Sequence, residues 1–327
     1  METNSIIKTN KKTKNHKLLK RNRLVFYIVC ATLPLLQFCL FWFGTNLNSI
    51  MLAFKEYTFI KGQGDVASFV GFGNLFKNFV ELFAYIEEKS SLGTMLLNSL
   101  LTYFVTMLSL VLSICFAYYI TKKHWGAKTF QVLLFIPHIV SSIVMTILFM
   151  HVAEIFIPGL MLEMFDVVVK PPFASGLKTA RVYVLFYLVW ASFGTHTLLF
   201  CGSMNGISDS IFDAAKIDGA REAREFISIV VPMIMPTIMT FIITNTAHIF
   251  THQMGLFTFF GGQTGRVVSD SRIWTVGYFL YTETKIAANN ADVAAYPKIA
   301  ALGIAISIVT IPIVLLMRKC LSKVGRY

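Results

Sequence analysis

The sequence predicts an all-α fold: a polytopic membrane protein with six transmembrane helices. Three observations predict it. Mean hydropathy is +0.65 and 55% of the residues are hydrophobic. Only 14% are charged, against about 25% in a soluble domain. Apolar windows of the length that crosses a bilayer, about 20 residues, recur at 24–44, 92–121, 129–151, 182–203, 227–260 and 299–317. Lipid leaves free backbone groups unsatisfied, so such segments are helical, and six spans are too few to close a barrel.

The chain organisation follows in order. Residues 1–23 form a basic tail. The first span, 24–44, is longer than a signal-peptide apolar region and no Ala-x-Ala site follows it, so it is expected to stay uncleaved. Residues 45–91 read as an extracellular loop, 92–317 as the transmembrane core with a cytoplasmic loop at 204–230, and 318–327 as a second tail. The fifth window is long enough to include an approach segment through Pro232 and Pro236. The five cysteines lack CxxC spacing and Cys30, Cys39, Cys115 and Cys201 lie in apolar runs, so they read as small hydrophobes.

Charge sets the orientation. The net charge is +12 and the pI about 9.5. With the N-terminus inside, the tails, 122–128 and 204–226 hold 18 of the 29 Lys and Arg but 6 of the 17 Asp and Glu. The excess positive charge therefore lies on one side, with both termini cytoplasmic. This explains the basic pI without a nucleic-acid partner. None of the six windows holds Asp or Glu. Proton- or sodium-coupled carriers keep buried ionisable groups despite a cost of roughly 2.5–3.5 kcal/mol, so the absence argues against a secondary carrier. Histidines remain as groups able to carry protons.

The most informative stretch runs from Gly206 to Pro236. Ser208 or Asp209 can cap a short helix. Ile211, Ala214, Ala215 and Lys216 would lie along it. Gly219 can take the left-handed conformation that ends it. A second helix, 221–230, leads to Pro232. The result is a helix–glycine–helix elbow whose alanines let a partner approach closely.

These residues resemble a known family. Asp213-Ala214-Ala215-x3-Gly219-x9-Ile229-x-Val231-Pro232 is similar to the EAA loop of permease subunits in binding-protein-dependent ABC importers, with Asp213 for glutamate and Val231 for leucine. Asp218, Ala220, Phe226 and Pro236 fit as well. Within the family, Gly71-Phe72-Gly73-Asn74, Asn98 and Phe135-Ile136-Pro137 are similar to the carbohydrate-uptake branch. Phe257 to Gly262 corresponds to that branch's Leu-Thr-x-Gly-Gly-Pro segment, with Gln263 where proline is expected. The resemblance covers about 71–327. It implies a type I ABC importer permease fold and a coupling role for Asp213, Ala214, Ala215, Lys216, Asp218, Gly219 and Ala220. It also implies partners: a second homologous permease, a cytoplasmic ATPase dimer and an extracellular solute-binding protein.

Other chemistry is missing. Gly261-Gly262-Gln263-Thr264-Gly265 lacks the lysine of a phosphate-binding loop. His248 and His252 are spaced i,i+4, but Ile249 stands where a metalloprotease has glutamate. No catalytic constellation, metal site or cofactor motif is found, so an enzyme is not expected.

The fifth span is unusually polar. Thr237, Thr240, Thr244, His248 and Thr251 follow at steps of three or four and so share one helical face, with Asn245, His252 and Gln253 beside it. Such a face either packs against another helix or lines a path for solute. Tyr183, Tyr187 and Trp190 share a face of the fourth span, as interfacial anchors or as a platform for a sugar ring. Gly303 and Ser307 form a small-x3-small pair suited to helix packing.

Overall fold

The computed structural model describes residues 23–60, 64–71, 74, 76–173, 177–261 and 271–324. Two compact units result, divided between Phe76 and Lys77.

In the first unit, helix α1 (Arg23–Leu52) runs eight residues past the expected end of the first span and contains a π-helical stretch at Phe38–Phe43. None of its most apolar window is buried. An antiparallel hairpin follows, β1 (Lys55–Ile60) with β2 (Gly64–Phe69), in the register Lys55↔Phe69 to Ile60↔Gly64. The all-α expectation omits this hairpin. Its first strand, Lys-Glu-Tyr-Thr-Phe-Ile, is rich in the aromatic and β-branched residues that suit a pleated surface.

The second unit is helical: α2 (Lys77–Lys89), α3 (Leu92–Thr121), α4 (Ala127–Ile139), α5 (Ser142–Phe165), α6 (Leu177–Asn205), α7 (Asp209–Ile217), α8 (Glu222–Met233), α9 (Met235–Ala247), α10 (Val276–Asn289) and α11 (Ala295–Val324). Among the described residues, five helices are long and apolar enough to cross a membrane, and six if the bent pair α8 and α9 counts as one span.

Two expected spans are corrected. Window 129–151 is not one helix. Pro137 sits in the last turn of α4, and Val140 and Ser141 are extended, with ψ 145° and 134°. Proline removes a backbone donor and crowds the preceding turn, but the side chains on both sides of the break are apolar, so hydropathy runs through it. The helix long and apolar enough to cross is instead α5, which brings Glu154 and Glu163 inside a candidate span. In the fifth window, α8 and α9 meet at 68°, and Ile234 between them leaves helical geometry at φ −91°, ψ 5°. The helix ends at Ala247, and the rest of the window forms turns and a π-helical turn at Phe257–Gly261.

Small hydroxyl residues let α3 and α6 approach. Ser109 and Ser113 are fully buried, and Ser109 Oγ lies 3.0 Å from Ser192 Oγ. Gly194 marks the contact of α6 with α4: a Cβ there would stand 2.4 Å from the Leu134 carbonyl oxygen. Buried Asn98 near the start of α3 donates to the carbonyls of Arg272 and Trp274, at 3.0 and 2.9 Å. Apolar packing falls into two main clusters. One gathers Leu82, Ile86, Met95, Val184, Phe259 and Phe279. The other, near the Thr121 end of α3, gathers Ile114, Phe200, Met204, Val230 and Ile234.

Candidate coupling elbow and polar helix face

The elbow forms much as its residues dictate. Ser208 is the extended residue before α7, with φ −64° and ψ 135°. Its hydroxyl pairs with Ser210 Oγ at 2.8 Å rather than capping the helix. The other end closes through two backbone bonds. Gly219 N–H donates to the Lys216 carbonyl at 3.0 Å, and Ala220 N–H reaches back to Ala215 at 2.9 Å. This 6→1 and 5→2 pair requires a left-handed residue between helix and loop, and Gly219 supplies it at φ +73°. A Cβ at Gly219 would meet nothing within 4 Å, so the constraint is the backbone angle rather than space.

The expected coupling residues divide between two faces. Asp213, Ala214, Lys216, Asp218 and Gly219 are exposed. Lys216 Nζ pairs with Asp213 Oδ1 at 3.1 Å on that surface. Ala215 is buried against the chain itself, which corrects the expectation that both alanines face a partner. The reason is the apolar stripe Ile211, Phe212, Ala215, where Ile211 and Phe212 pack on the second cluster. The sequence reading missed Ile217, which is 86% exposed beside Lys216.

Beyond Gly219, α8 is tied to the end of α3. Glu225 is buried at 3% exposure and forms an ion pair with Lys122. The Tyr118 hydroxyl lies 3.1 Å from Glu225 Oε1, and its ring lies 4.8 Å from that of Phe226.

The polar stripe is not one helical face as expected: Thr237, Thr240, Thr244 and Asn245 lie on α9, and His248 and Thr251 on the turns after Ala247. Thr240, Thr244, His248 and Thr251 are exposed, while Thr237 and Asn245 are half-buried. Thr237 Oγ1 pairs with Ser203 Oγ at 2.9 Å, Thr240 returns its hydroxyl to Pro236 O at 2.9 Å, and Thr251 Oγ1 lies 3.3 Å from His248 Nδ1. The opposite side, at Ile234, Ile238 and Thr246, is buried. Among the described residues, nothing packs over the exposed part of the polar stripe. The sequence reading missed the wall that α3 adds. Thr102, Tyr103 and Thr106 face Asn245, His248 and His252 across a cavity of about 20 Å³, room for about one water molecule. Asn245 Nδ2 is buried there without a hydrogen-bond partner.

Other expected residues fall elsewhere. Tyr187 is buried, bonds Thr146 Oγ1 at 2.8 Å and packs with Phe149, Trp190 and Phe259. Tyr183 lies beside Phe149 and Phe173. Tyr187 is in the core, Trp190 packs against it and Tyr183 is half-buried, so packing takes up this face where the sequence offered either interfacial anchors or a sugar platform. Gly303 and Ser307 meet no helix at that face among the described residues: a Cβ at Gly303 would find nothing within 4 Å, and Ser307 is exposed. Phe72 and Gly73 of the Gly71–Asn74 motif lie outside the described residues, as do Gly262, Gln263 and the tail 1–22.

Known proteins resemble the chain in sequence and in fold. Residues 122–320 match the family model described as binding-protein-dependent transport system inner membrane component. The permease protein NgcF of a diacetylchitobiose uptake system from Streptomyces coelicolor is 27% identical over 240 residues, 67% of this chain and 63% of the relative. The sn-glycerol-3-phosphate transport system permease protein UgpA of Yersinia pestis is 28% identical over 188 residues, 56% of this chain and 60% of the relative. The match thus spans less than two thirds of either relative. A chain of a bacterial alginate ABC transporter, solved with an alginate pentasaccharide-bound periplasmic protein, shares the fold. Its TM-score is 0.71 at 18% identity, over 95% of this chain and 98% of that one. The family match takes in the elbow, α9 and most of α11, and on it the chain belongs to the inner membrane components of binding-protein-dependent transport systems.

Proposed function

We propose that the chain is the transmembrane permease subunit of an ATP-driven importer, and that it forms part of the translocation path for a sugar or oligosaccharide delivered by an extracellular binding protein. The observation that carries this reading is the elbow. A short helix with an exposed Asp213–Ala214–Lys216–Ile217 surface ends at a left-handed glycine and is anchored by its other face. Such a knob is rigid on the inside and free on the outside, which is what docking in a separate ATPase requires. The residues read for coupling are Asp213, Ala214, Lys216, Asp218 and Gly219 at that surface, with Ala215 and Ala220 holding its shape.

The path is read along Thr237, Thr240, Thr244, Asn245, His248 and Thr251. Their exposure in the single chain leaves them for a second, homologous permease or for solute. Both termini are read as cytoplasmic, with the elbow on the same side, from the balance of Lys and Arg. The remaining partners are an ATPase dimer and the binding protein.

The solute reading leans on the carbohydrates in the names of one relative and of the alginate transporter. The glycerol-3-phosphate permease supports a second reading, an importer for another small polar solute. Uptake by cells carrying the complete system tests all of these. Uptake of oligosaccharide that stops on ATP depletion and persists with uncouplers supports the proposal. Uptake of glycerol phosphate alone favours the second reading. Uptake insensitive to ATP depletion and abolished by uncouplers identifies a secondary carrier and overturns both.

A further inference from the structure

Helix α3 is 30 residues long, about 45 Å at 1.5 Å per residue, and Lys122 is its C-cap residue. This lysine touches the helices on both sides of Gly219. It pairs with Glu225 of α8, and its Nζ lies 4.6 Å from the ring centre of Phe212 on α7. Tyr118, one turn earlier on α3, reaches Glu225 Oε1 at 3.1 Å and the Glu222 carbonyl at 3.2 Å. A carboxylate buried as deeply as Glu225 must stay paired, because an unpaired buried charge is costly. The elbow therefore cannot tilt away from α3 without stranding Glu225.

We infer that Lys122, Glu225 and Tyr118 are positioning residues that latch the elbow to α3, so that knob and helix move as one body. The inference rests on the proposed coupling role of the elbow. The latch does not touch the ATPase: the exposed knob residues Asp213, Ala214, Lys216 and Ile217 do that. Its task is to carry the displacement of the knob into a rigid helix that reaches to the far end of the bundle.

The test measures a distance inside the intact complex, purified with its own ATPase in nanodiscs. Spin labels are placed at Leu97→Cys, on the 68% exposed side of α3, and at Asp209→Cys, exposed in the first turn of α7 and outside the docking residues, with native cysteines replaced. The distance is read without nucleotide and after trapping with ATP and vanadate. The latch predicts one unchanged distance in the otherwise native chain. It predicts a shift on trapping in Lys122→Met and in Glu225→Gln, and a fixed distance again in the charge-exchanged Lys122→Glu/Glu225→Lys pair. Tyr118→Phe, which deletes one hydroxyl and leaves the ion pair, should shift least. A distance that changes as much in the native chain as in the variants overturns the latch. So does a distance that stays fixed in Lys122→Met. The reading beneath it is checked separately by Gly219→Val, labelled in the same way: an ATPase that stays attached and responsive there counts against the elbow as coupling element, whatever the latch does.

Discussion

Near the two ends of α3 the same three residue types meet in different settings. At the Leu92 end, Lys89 and Tyr85 converge on Glu283 of α10, which is 2% exposed. Lys298 of α11 lies 5.7 Å from the Tyr85 ring centre and pairs with Glu81 at 3.2 Å. At the Thr121 end, Lys122 and Tyr118 converge on Glu225. The first cluster cross-links α2, α10 and α11, elements already held by the larger apolar cluster. It is a staple, and its loss should appear as lost stability. The second joins α3 to an elbow whose outer face is open. Its loss should appear as lost transmission. Equal chemistry thus does different work according to what surrounds it.

The largest expected effect on stability follows from breaking the staple. Lys89→Met leaves Glu283 buried beside a single hydroxyl. Removing one partner of a buried pair costs roughly 3–5 kcal/mol, and the low end applies because Lys89 is 34% exposed. Thermal unfolding of the purified chain should report that loss, while Lys122→Met should cost less because Phe212 and the open elbow can relax around it. Equal destabilisation of both would erase the contrast.

Alkaline pH sharpens the same contrast. Burial and the Glu283 hydrogen bond raise the Tyr85 hydroxyl above its usual 10.0. Burial opposes the charge on Lys89, but hydrogen bonds to Glu283 and Tyr85 outweigh it and raise the ammonium above 10.5. In both cases the folded chain holds a proton that the unfolded chain releases. The contribution is complete below about pH 10 and is lost as pH rises through the folded values. Melting temperature should hold level up to that pH and then fall more steeply than in Lys89→Met. Parallel curves would remove the staple from the account.

A smaller effect belongs to the polar face. Thr244→Leu and His248→Leu should leave assembly and melting near normal, since both side chains are exposed, and should weaken uptake several-fold. Phe241→Ala, which removes packing on His196 and Phe200, should instead lower stability. Assembly lost in the first two variants would make that face a helix contact and not a path.

These regions also differ in how far the sequence revealed them. The left-handed Gly219 and the exposed residue before α7 follow from local backbone demands, and a few residues suffice to state them. The stripe Ile211, Phe212, Ala215 was present as a helical pattern, but the sequence reading put Ala215 with Ala214 at the partner surface and so missed its burial. The α3 wall of the polar face was not legible, because Tyr103 and Asn245 meet only when two distant helices pack. The latch was hidden for the same reason, with Lys122 and Glu225 about 100 residues apart. The break at Val140 was masked by apolar side chains on either side of it. Most helices were visible because a bilayer-crossing segment needs only length and apolarity. Their ends were not, since α1, α6 and α11 continue past the apolar windows.

The central claim is that the elbow couples this chain to an ATPase through a surface set by one glycine. The most direct measurement is the amount of ATPase co-purified per permease for Gly219→Val and Ala214→Tyr, with membrane insertion checked by protein yield and melting. A β-branched residue at positive φ is strained by roughly 1–2 kcal/mol, enough to tilt α7 but small against the stability of the bundle. Ala214→Tyr adds bulk at an exposed position without touching the core. The account predicts normal insertion and melting in both variants, with most of the ATPase lost. Full ATPase retention in both, in normally inserted protein, would contradict it.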